Sequence, residues 1–418
     1  MRLKKFPTTV TKRAADGEER SSLAGTGWAP AAPVLSGTFV TPETSLGLAA
    51  VFAAVNVISR DLASLPCHIY RYFPDGGREI DKKKPLEEAL NVTPDQERDS
   101  FSFWQTSMAH PLGWGNSYSK IVRHPRSGEV IGLNLRHPSK TKPKRNDQGK
   151  LFYEFDNGER LAPWDVLHIA GLGFDGIQGY SPITVCRQTV GLGLGVEQFG
   201  AAFFGNGAVP KGMIKMGNKR LSEAAQDNLR NQINYRYQGS QNAHGLLFLE
   251  EGMDWVNTQV NPDDGQWIET RGFQVKEIAR IYSMPPHKLG DYSESHLANV
   301  EEANEDYVTK TLMGWLCKAE SQLNFKLLTP ADRLTHTIGF DLEALLRANT
   351  AARMAKWQTL RNAGAVNADE IRLAEGMNPI GSEKGGDLYL VQGQYIPLNQ
   401  VGKQPASTTP PKMRIVKP

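Results

Sequence analysis

The fold of the first part of the chain is decided by the stretch Val51-Phe-Ala-Ala-Val-Asn-Val-Ile-Ser-Arg-Asp-Leu-Ala-Ser-Leu-Pro66. Its apolar residues recur at the spacing of one helix face, and Thr44 or Ser45 is placed to cap that helix. Pro66 ends the helix, because proline cannot continue the hydrogen-bond ladder. The next residues, Cys67-His-Ile-Tyr-Arg-Tyr72, alternate as a strand does. A helix followed directly by strands indicates an α+β fold.

Downstream, the chain keeps alternating between helical and strand patterns. Short strands punctuated by Gly, Pro and Asn occupy 116–163, and a hairpin is predicted with its turn at Glu250–Asp254. Helices are predicted at 101–114, 182–204, 221–237, 266–281 and 300–328, with two more between 341 and 377. The helix at 182–204 carries four glycines, each costing about 1 kcal/mol relative to alanine. That cost predicts that another backbone packs closely against this helix.

Composition limits the class of protein. Apolar residues make up 39% and charged residues 22% of the 418 residues, which is typical of a globular chain. No apolar run approaches the ~20 residues of a membrane span. The three cysteines form no CxxC pair and predict buried thiols in a reducing compartment. The net charge of +3 argues against a tight, sequence-specific DNA binder, because such binders are strongly basic.

One motif suggests an enzyme. Gly171-Leu-Gly-Phe-Asp-Gly176 matches GxGxxG and follows a strand, as a dinucleotide site requires. The next helix begins only at Pro182, however, and no βαβ pattern follows. A structural turn is therefore favoured, and a nucleotide-binding enzyme is kept as the alternative.

The other candidate motifs predict no chemistry. There is no P-loop, and the histidines and acids of 287–301 fit no zinc spacing. The basic run Thr141-Lys-Pro-Lys-Arg145 is interpreted as a solvated loop rather than a nucleic-acid patch. We accordingly expect no catalytic residue, no metal and no cofactor.

Several short sequence motifs lie between about Thr41 and Ile380. Each motif alone is weak evidence for a family, but their order and spacing together are specific. The motifs are Thr41-Pro-Glu-Thr-Ser45 with the 51–66 helix, Gly115-Asn-Ser-Tyr118, Leu167-His-Ile169, Gly176-Ile-Gln-Gly-Tyr-Ser-Pro182, Phe203-Phe-Gly-Asn-Gly-Ala-Val-Pro-Lys-Gly-Met213, Ile281-Tyr-Ser-Met-Pro-Pro286 with Leu289-Gly290, and Asn367-Ala-Asp-Glu-Ile-Arg372 with Asn378-Pro379. In these phrases the chain resembles the portal proteins of tailed bacteriophages with long, lambda-like tails.

The resemblance implies a ring, usually of twelve subunits, at one vertex of the capsid. Double-stranded DNA is packaged and ejected through such a ring without sequence-specific contacts. The terminase large subunit docks on it, a head–tail adaptor protein replaces the motor later, and the major capsid or scaffolding protein surrounds it. The resemblance implies no membrane partner, and it implies a location in the virion after assembly in the host cytoplasm.

It also implies a division of the chain into a mixed wing domain, paired stem helices, a small β clip, a tunnel loop and a helical crown. By the order of elements, these are a mobile arm at 1–40, the wing at 41–218, the stem helices at 219–283 with the clip hairpin at about 239–262, the tunnel loop at 284–299, a long helix returning to the wing at 300–336, the crown at 337–380, and a largely disordered tail at 381–418.

The division selects two sets of site residues. Residues predicted to line the DNA channel are His287, Lys288 and His296 of the tunnel loop, with Arg230 and Arg236 of the stem as weaker candidates. The competing interpretation points the loop residues into a contact between subunits. Residues predicted to bind partners at the clip are Phe248, Glu250, Glu251 and Trp255. A structural adaptor ring without DNA in its lumen is the second alternative function.

Overall fold

The computed structural model describes residues 34–205, 212–216, 222–224, 226–228, 231, 253–257, 264–293, 300–342 and 350–390. The chain forms two compact units, Met1–Asp341 and Leu342–Pro418.

The predicted first helix is present, but its start differs from the prediction. A short helix α1 (Pro42–Ser45) comes first, capped by the Thr41 hydroxyl, which accepts a hydrogen bond from the Thr44 amide. Helix α2 (Ala49–Ala63) follows without a side-chain cap. Ser45 is instead buried, where its hydroxyl donates to the Pro42 carbonyl. The predicted capping residues therefore belong to α1, an extra turn that periodicity alone does not reveal.

Three-stranded antiparallel sheets supply most of the β structure of the first unit. In the first sheet, β1 (Cys67–Tyr72) lies between β2 (Arg78–Ile80) and β11 (His336–Phe340), which returns from far along the chain. In the second, β3 (Asn116–Arg123) lies between β4 (Val130–Arg136) and β8 (Val166–Ala170). The third contains β5 (Thr141–Arg145), β6 (Leu151–Phe155) and β7 (Arg160–Leu161).

The core of the first unit lies where helices cover the β1 sheet. Helix α4 (Ser100–Trp114) places Trp104 there, 1% exposed, with its ring edge-to-face against Phe340 of β11 at 5.2 Å. The indole N–H donates to the Leu90 carbonyl in helix α3 (Pro85–Asn91), so its polar atom is satisfied. One tryptophan thus joins α3, α4 and a strand more than 200 positions later, and fixes the return of the chain to this sheet.

The predicted glycine-rich helix is broken in two. Ser181 caps α5 (Pro182–Val185), Cys186 leaves helical geometry, and α6 (Arg187–Gly205) continues. Three glycines of α6, at 191, 193 and 195, have close neighbours, but these are side chains of the same chain and not the second backbone that the sequence predicts. A Cβ at Gly191 would lie 2.4 Å from Val34 Cγ2. The Ser36 and Thr38 hydroxyls donate to the Gly191 carbonyl at 2.9 and 3.1 Å.

The later helices of the first unit are α7 (Asp264–Ile281), α8 (Val300–Asp306) and α9 (Met313–Leu327). A π-helical stretch, Tyr307–Leu312, joins α8 to α9 without a break. Helix α9 packs against β8 and β11. The second unit contains α10 (Thr350–Asn362) and α11 (Ala368–Ala374), the latter opened by a capping box between Asn367 and Glu370.

Three further predictions differ from the structure. The basic run 141–145 is the edge strand β5 and not a loop; its alternate residues Thr141 and Pro143 are buried while the lysines face outward, a pattern that protects sheet edges. Met253 and Asp254 lie in β10 (Met253–Asn257), not in a turn, and β10 pairs with β9 (Gly212–Met216), which the sequence assigns to the wing. The crown boundary at 337 falls inside β11, because the first unit ends at Asp341.

Candidate functional site

Three glycines from distant positions meet where β3 and β8 lie side by side. We call Gly115, Gly171 and Gly179 the glycine junction. The Gly171 amide donates to the Gly115 carbonyl at 2.8 Å. A Cβ at Gly179 would lie 2.2 Å from the Gly115 oxygen, and a Cβ at Gly115, whose φ is +81°, would lie 2.4 Å from the Tyr180 carbonyl carbon. Only glycine allows backbones to cross this closely.

A buried polar network holds the junction closed. The Asn116 side chain accepts from the Gly179 amide at 2.8 Å and donates to the Gly179 carbonyl at 2.7 Å. Its oxygen also accepts from His168 Nε2 at 2.9 Å, which assigns the ring proton to Nε2. The Tyr153 hydroxyl then donates to His168 Nδ1 at 3.0 Å. Burial lowers the pKa of His168 to about 3, so the imidazole is neutral and serves as a structural hydrogen-bonding group.

The packing at the junction also shows whether the GxGxxG motif is a phosphate-binding site or a structural turn. A Cβ at Gly173 would lie 1.8 Å from the Gln178 carbonyl oxygen, so the chain itself occupies the space beside the glycines. The amides of Ile177 and Gln178 both donate to Asp175 Oδ1 at 2.9 Å. A phosphate site needs free amides pointing outward, and these amides are used internally. The motif is a structural turn, as the sequence indicates.

The segment predicted as the tunnel loop begins with an unusual helix end. The Ser283 amide donates to the Arg280 carbonyl and the Met284 amide to the Ala279 carbonyl, which closes α7 with a Schellman motif. Ser283 takes the position usually held by glycine, with φ of 52°. Its carbonyl accepts from the Thr311 hydroxyl in the π-helical stretch at 2.5 Å. The helix end is therefore tied to the helix that returns.

Two predicted channel residues lie together in the following turn, and neither projects freely into solvent. His287 and Lys288 belong to the 3₁₀ turn Pro286–Leu289 and are half-buried. Lys288 Nζ lies 4.7 Å from the centre of the Tyr307 ring, and the Tyr307 hydroxyl donates to Asp61 of α2 at 3.0 Å. Burial and the Asp61 carboxylate raise the pKa of Tyr307, so its hydroxyl stays protonated. His287 Nε2 is buried and has no hydrogen-bond partner among the described residues.

The remaining predicted site residues are placed only in part. Trp255 lies in β10, opposite Ile214 of β9. Six others lie outside the described residues: Arg230, Arg236, His296, Phe248, Glu250 and Glu251. The structure thus describes the positions of His287, Lys288 and Trp255, and the roles of all the residues in both predicted sets stay predictions.

Sequence reasoning missed the residues that contact the turn Pro286–Leu289 and the helix end before it. Tyr307, Asp61 and Thr311 carry no motif that marks them, because they come from two helices distant in sequence. The one available signal is the polar pair Arg60-Asp61, which interrupts the apolar helix α2. Within the described ranges, no group of three His, Cys, Asp or Glu residues is arranged to hold a metal ion. None of the helices described is long and apolar enough to span a membrane.

Comparison with known proteins agrees with this architecture. The profile of the family described as phage portal protein matches residues 49–376. The chain belongs to the phage portal protein family. A probable portal protein of Streptomyces phage phiC31 is 30% identical over 385 residues, covering 88% of this chain and 82% of its own. The portal protein of Enterobacteria phage HK97 is 27% identical over 377 residues, covering 88% and 87%.

Solved structures show the same portal fold. A portal protein of the HK97 family from Corynebacterium diphtheriae superposes with a TM-score of 0.57 at 19% identity, covering 74% of this chain and 97% of that one. A chain from the neck of a native gene transfer agent particle, computed with C12 symmetry, gives 0.52 at 21% identity, covering 81% and 95%. The predicted α+β portal fold is confirmed. As a portal protein, the chain is a structural component of a virion, and its family is structural rather than catalytic.

Proposed function

We propose that this portal chain assembles head to tail into a ring of twelve copies and that double-stranded DNA passes through the ring's central opening. The family match over 49–376 carries the proposal. The C12 symmetry with which the neck of the native gene transfer agent particle was computed supports the copy number, and the C6 symmetry used for the neck of the empty particle is a divisor of it. Identical subunits that meet through two different faces form closed rings, which is the assembly that a conduit needs.

The charge of the chain suits a conduit. Duplex DNA carries one negative charge per about 1.7 Å of its length, and each tight phosphate contact adds affinity that translocation has to overcome. A net charge of +3 per chain keeps such contacts few. We propose that contact is made mainly by the segment 284–299, through His287, Lys288 and His296, with a weaker contribution from Arg230 and Arg236 of the stem.

Electron microscopy of the purified chain tests the ring. We expect a closed ring with an axial opening wide enough for a duplex. A closed dimer, or a ring whose opening is too narrow in every state, would overturn the proposal. The second of these outcomes would favour an adaptor ring without DNA in its lumen.

DNA packaging into heads that contain variant subunits tests the channel residues. Lys288→Ala is expected to slow packaging, and Lys288→Arg to restore it, because the positive charge is the property that matters. Lys310→Ala is the matched control, since Lys310 is an exposed lysine of the neighbouring π-helical stretch, paired with Asp306 at 2.5 Å. Equal packaging by all three variants would remove Lys288 from the mechanism.

Partners are proposed at the clip. The terminase large subunit, and later the head–tail adaptor protein, would contact Phe248, Glu250, Glu251 and Trp255, while the major capsid or scaffolding protein would surround the wing. No membrane is involved, and assembly takes place in the host cytoplasm.

Trp255→Ala is expected to weaken terminase binding to the ring about tenfold or more, as loss of an aromatic anchor does. Trp164→Ala, which removes a 60% exposed tryptophan elsewhere, is the control. Equal weakening by both variants would exclude a specific role for the clip.

A further inference from the structure

The loop between Gly171 and Gly179 of the glycine junction presents apolar side chains to solvent. We call residues 172–178 the apolar loop. Leu172 is 77% exposed and Phe174 is 92% exposed, the highest value of any exposed phenylalanine among the described residues. Two large, exposed apolar side chains in one short loop are typical of a surface that is covered in an assembly.

The apolar loop is held in one conformation before any partner binds. Its base is closed by the Tyr180 amide, which donates to the Leu172 carbonyl at 2.7 Å. Its tip is fixed by Asp175, which accepts the two amides described above, and the Phe174 ring lies edge-to-face on Tyr180 with 5.6 Å between centres. A rigid loop loses little entropy on binding, so its apolar area translates efficiently into affinity.

A matching groove lies elsewhere on the same unit. It has a volume of about 220 Å³ and lies between the start of α2, the middle of α6 and α7. Its lining is mainly apolar and includes Leu48, Ala50, Gly193, Val196, Val275 and Ile278. Gly193 keeps the groove open, because a Cβ there would lie 2.9 Å from Leu48 Cδ2. An apolar cavity of about 150 Å³ is enough to take up benzene, so this groove accommodates one phenyl ring.

Polar groups at the groove complement the apolar loop. Arg271 stands at the mouth with its side chain 60% exposed, and its intrachain ion pair with Glu197 is long, at 3.9 Å. Gln274 Oε1 is buried in the wall and has no hydrogen-bond partner among the described residues. On the loop, the exposed carboxylate of Asp175 follows directly after Phe174. An aromatic side chain followed by an acid thus matches an apolar groove with a cation at its mouth.

We propose that Phe174 of one copy inserts into this groove on the next copy, with Asp175 facing Arg271. The loop and the groove are different surfaces of one chain, so the contact is head to tail and repeats around a ring. This inference rests on the proposed ring and specifies one of its contacts.

Cross-linking tests the contact directly. Two single-cysteine variants, Phe174→Cys and Val196→Cys, are made in a background of Cys186→Ser and Cys317→Ser, because Cys317 is exposed and Cys186 is partly so. When the two are mixed and treated with a short bismaleimide, we expect a covalent dimer. Neither variant alone should give one. Leu334→Cys, at a position 85% exposed, replaces Phe174→Cys as the control. The absence of a dimer from the mixture of Phe174→Cys and Val196→Cys, or an equal yield of dimer from the control mixture, would overturn the proposal.

Assembly of variants gives an independent measurement. Phe174→Ala is expected to raise the protein concentration needed for half-assembly by at least about tenfold, as loss of a central aromatic anchor does, whereas Leu334→Ala leaves it unchanged. Asp175→Asn keeps the oxygen that fixes the loop and removes its charge. We expect similar weakening of assembly from Asp175→Asn, from Arg271→Gln and from the two substitutions combined. Each of these changes breaks the same ion pair.

The outcomes separate this contact from the ring itself. If the unmodified chain never assembles, the proposed function fails together with the contact. If the unmodified chain forms rings, while Phe174→Ala assembles equally well and the mixed cysteines do not cross-link, only the contact is wrong.

Discussion

The glycine junction and the turn after α7 differ in how tightly they are packed and in how fully their buried polar groups are hydrogen-bonded. At the junction, three backbones cross without room for a Cβ, and Asn116 and His168 find hydrogen-bond partners for their side-chain polar atoms. In the turn, Ser283 takes a backbone conformation that suits glycine, and polar atoms of His287 and Asp291 are buried without partners among the described residues. A π-helical stretch adjoins this turn.

The difference indicates a division of labour within one chain. The junction combines several family motifs into a fixed support, since the phrases at 115–118, 167–169 and 176–182 all meet there. The turn keeps local strain and unsatisfied groups, features that cluster where a protein changes conformation. A π-helical stretch within an α-helix is frequent at such sites. We expect the junction to keep its conformation while the segment around the turn changes.

The largest effect is expected from crowding the junction. Gly115→Ala combines a left-handed backbone with overlap onto Tyr180, and we expect it to lower the free energy of unfolding by at least about 3 kcal/mol. Gly149→Ala is the matched control, because Gly149 has φ of +75° with nothing within 4 Å of the added Cβ. The control should cost about 1 to 2 kcal/mol. Denaturant unfolding of both variants measures the difference, and equal losses would show that the junction is not tightly packed.

The second effect is a dependence on pH that arises at the junction. The pKa of His168 is about 3 in the folded chain, against 6.5 for a free histidine. Between these values the unfolded chain binds the extra proton, so His168 costs stability as the pH falls, by about 1.4 kcal/mol per pH unit. From pH 6.5 to 4.5, we expect His168→Gln to lose less stability than the unmodified chain. Identical slopes for the two proteins would show that His168 is not buried in its neutral form.

The third effect tests the strain in the turn. Ser283→Gly keeps the Schellman geometry and removes the left-handed penalty, so we expect a gain of about 0.5 to 1 kcal/mol. Ser283→Val should lose about 1 to 2 kcal/mol, because a β-branched residue tolerates positive φ least. Unfolding measurements on the pair check the signs. A loss in both variants would show that the serine hydroxyl, and not the backbone, is what the position requires.

Sequence reasoning succeeded where local pattern and physical cause coincide. The apolar spacing of α2, the proline that opens α5 and the length of the long helix all act within a few residues, so the elements and the α+β class were predictable. It was less successful where tertiary pairing decides. Nothing local shows that β10 pairs with β9 or that β11 returns to β1. The composition of the basic run 141–145 predicts a loop. It is a strand because Thr141 and Pro143 pack on the buried side of a sheet, which the local sequence does not show.

The same limit applies to the candidate site. The glycines of α6 predicted a closely packed second backbone, and this was wrong: side chains of the same chain, among them Val34, Ser36 and Thr38, take that place. His287 and Lys288 are predicted channel residues because of their position in the resemblance. Their partners Tyr307 and Asp61 were not predicted, because the two helices that carry them meet only in the fold.

The smallest predicted effect concerns how much the contact between Lys288 and Tyr307 stabilises the turn Pro286–Leu289. Lys288 Nζ lies over the Tyr307 ring, and a partly exposed contact of this kind contributes about 0.5 to 1 kcal/mol. Lys288→Met keeps the apolar stem against the ring and removes the charge, so we expect its free energy of unfolding to fall by an amount within that range. Lys310→Met should lose less, because the ion pair of Lys310 with Asp306 is exposed. Hydrogen exchange of the 286–290 amides measures the local effect. Faster exchange in Lys288→Met alone would show that the lysine restrains the turn, and a lysine so engaged is free to contact DNA only after the turn moves. Unchanged exchange would mean that the turn is held by Thr311 and the Schellman motif, and that Lys288 can reach the channel without any rearrangement.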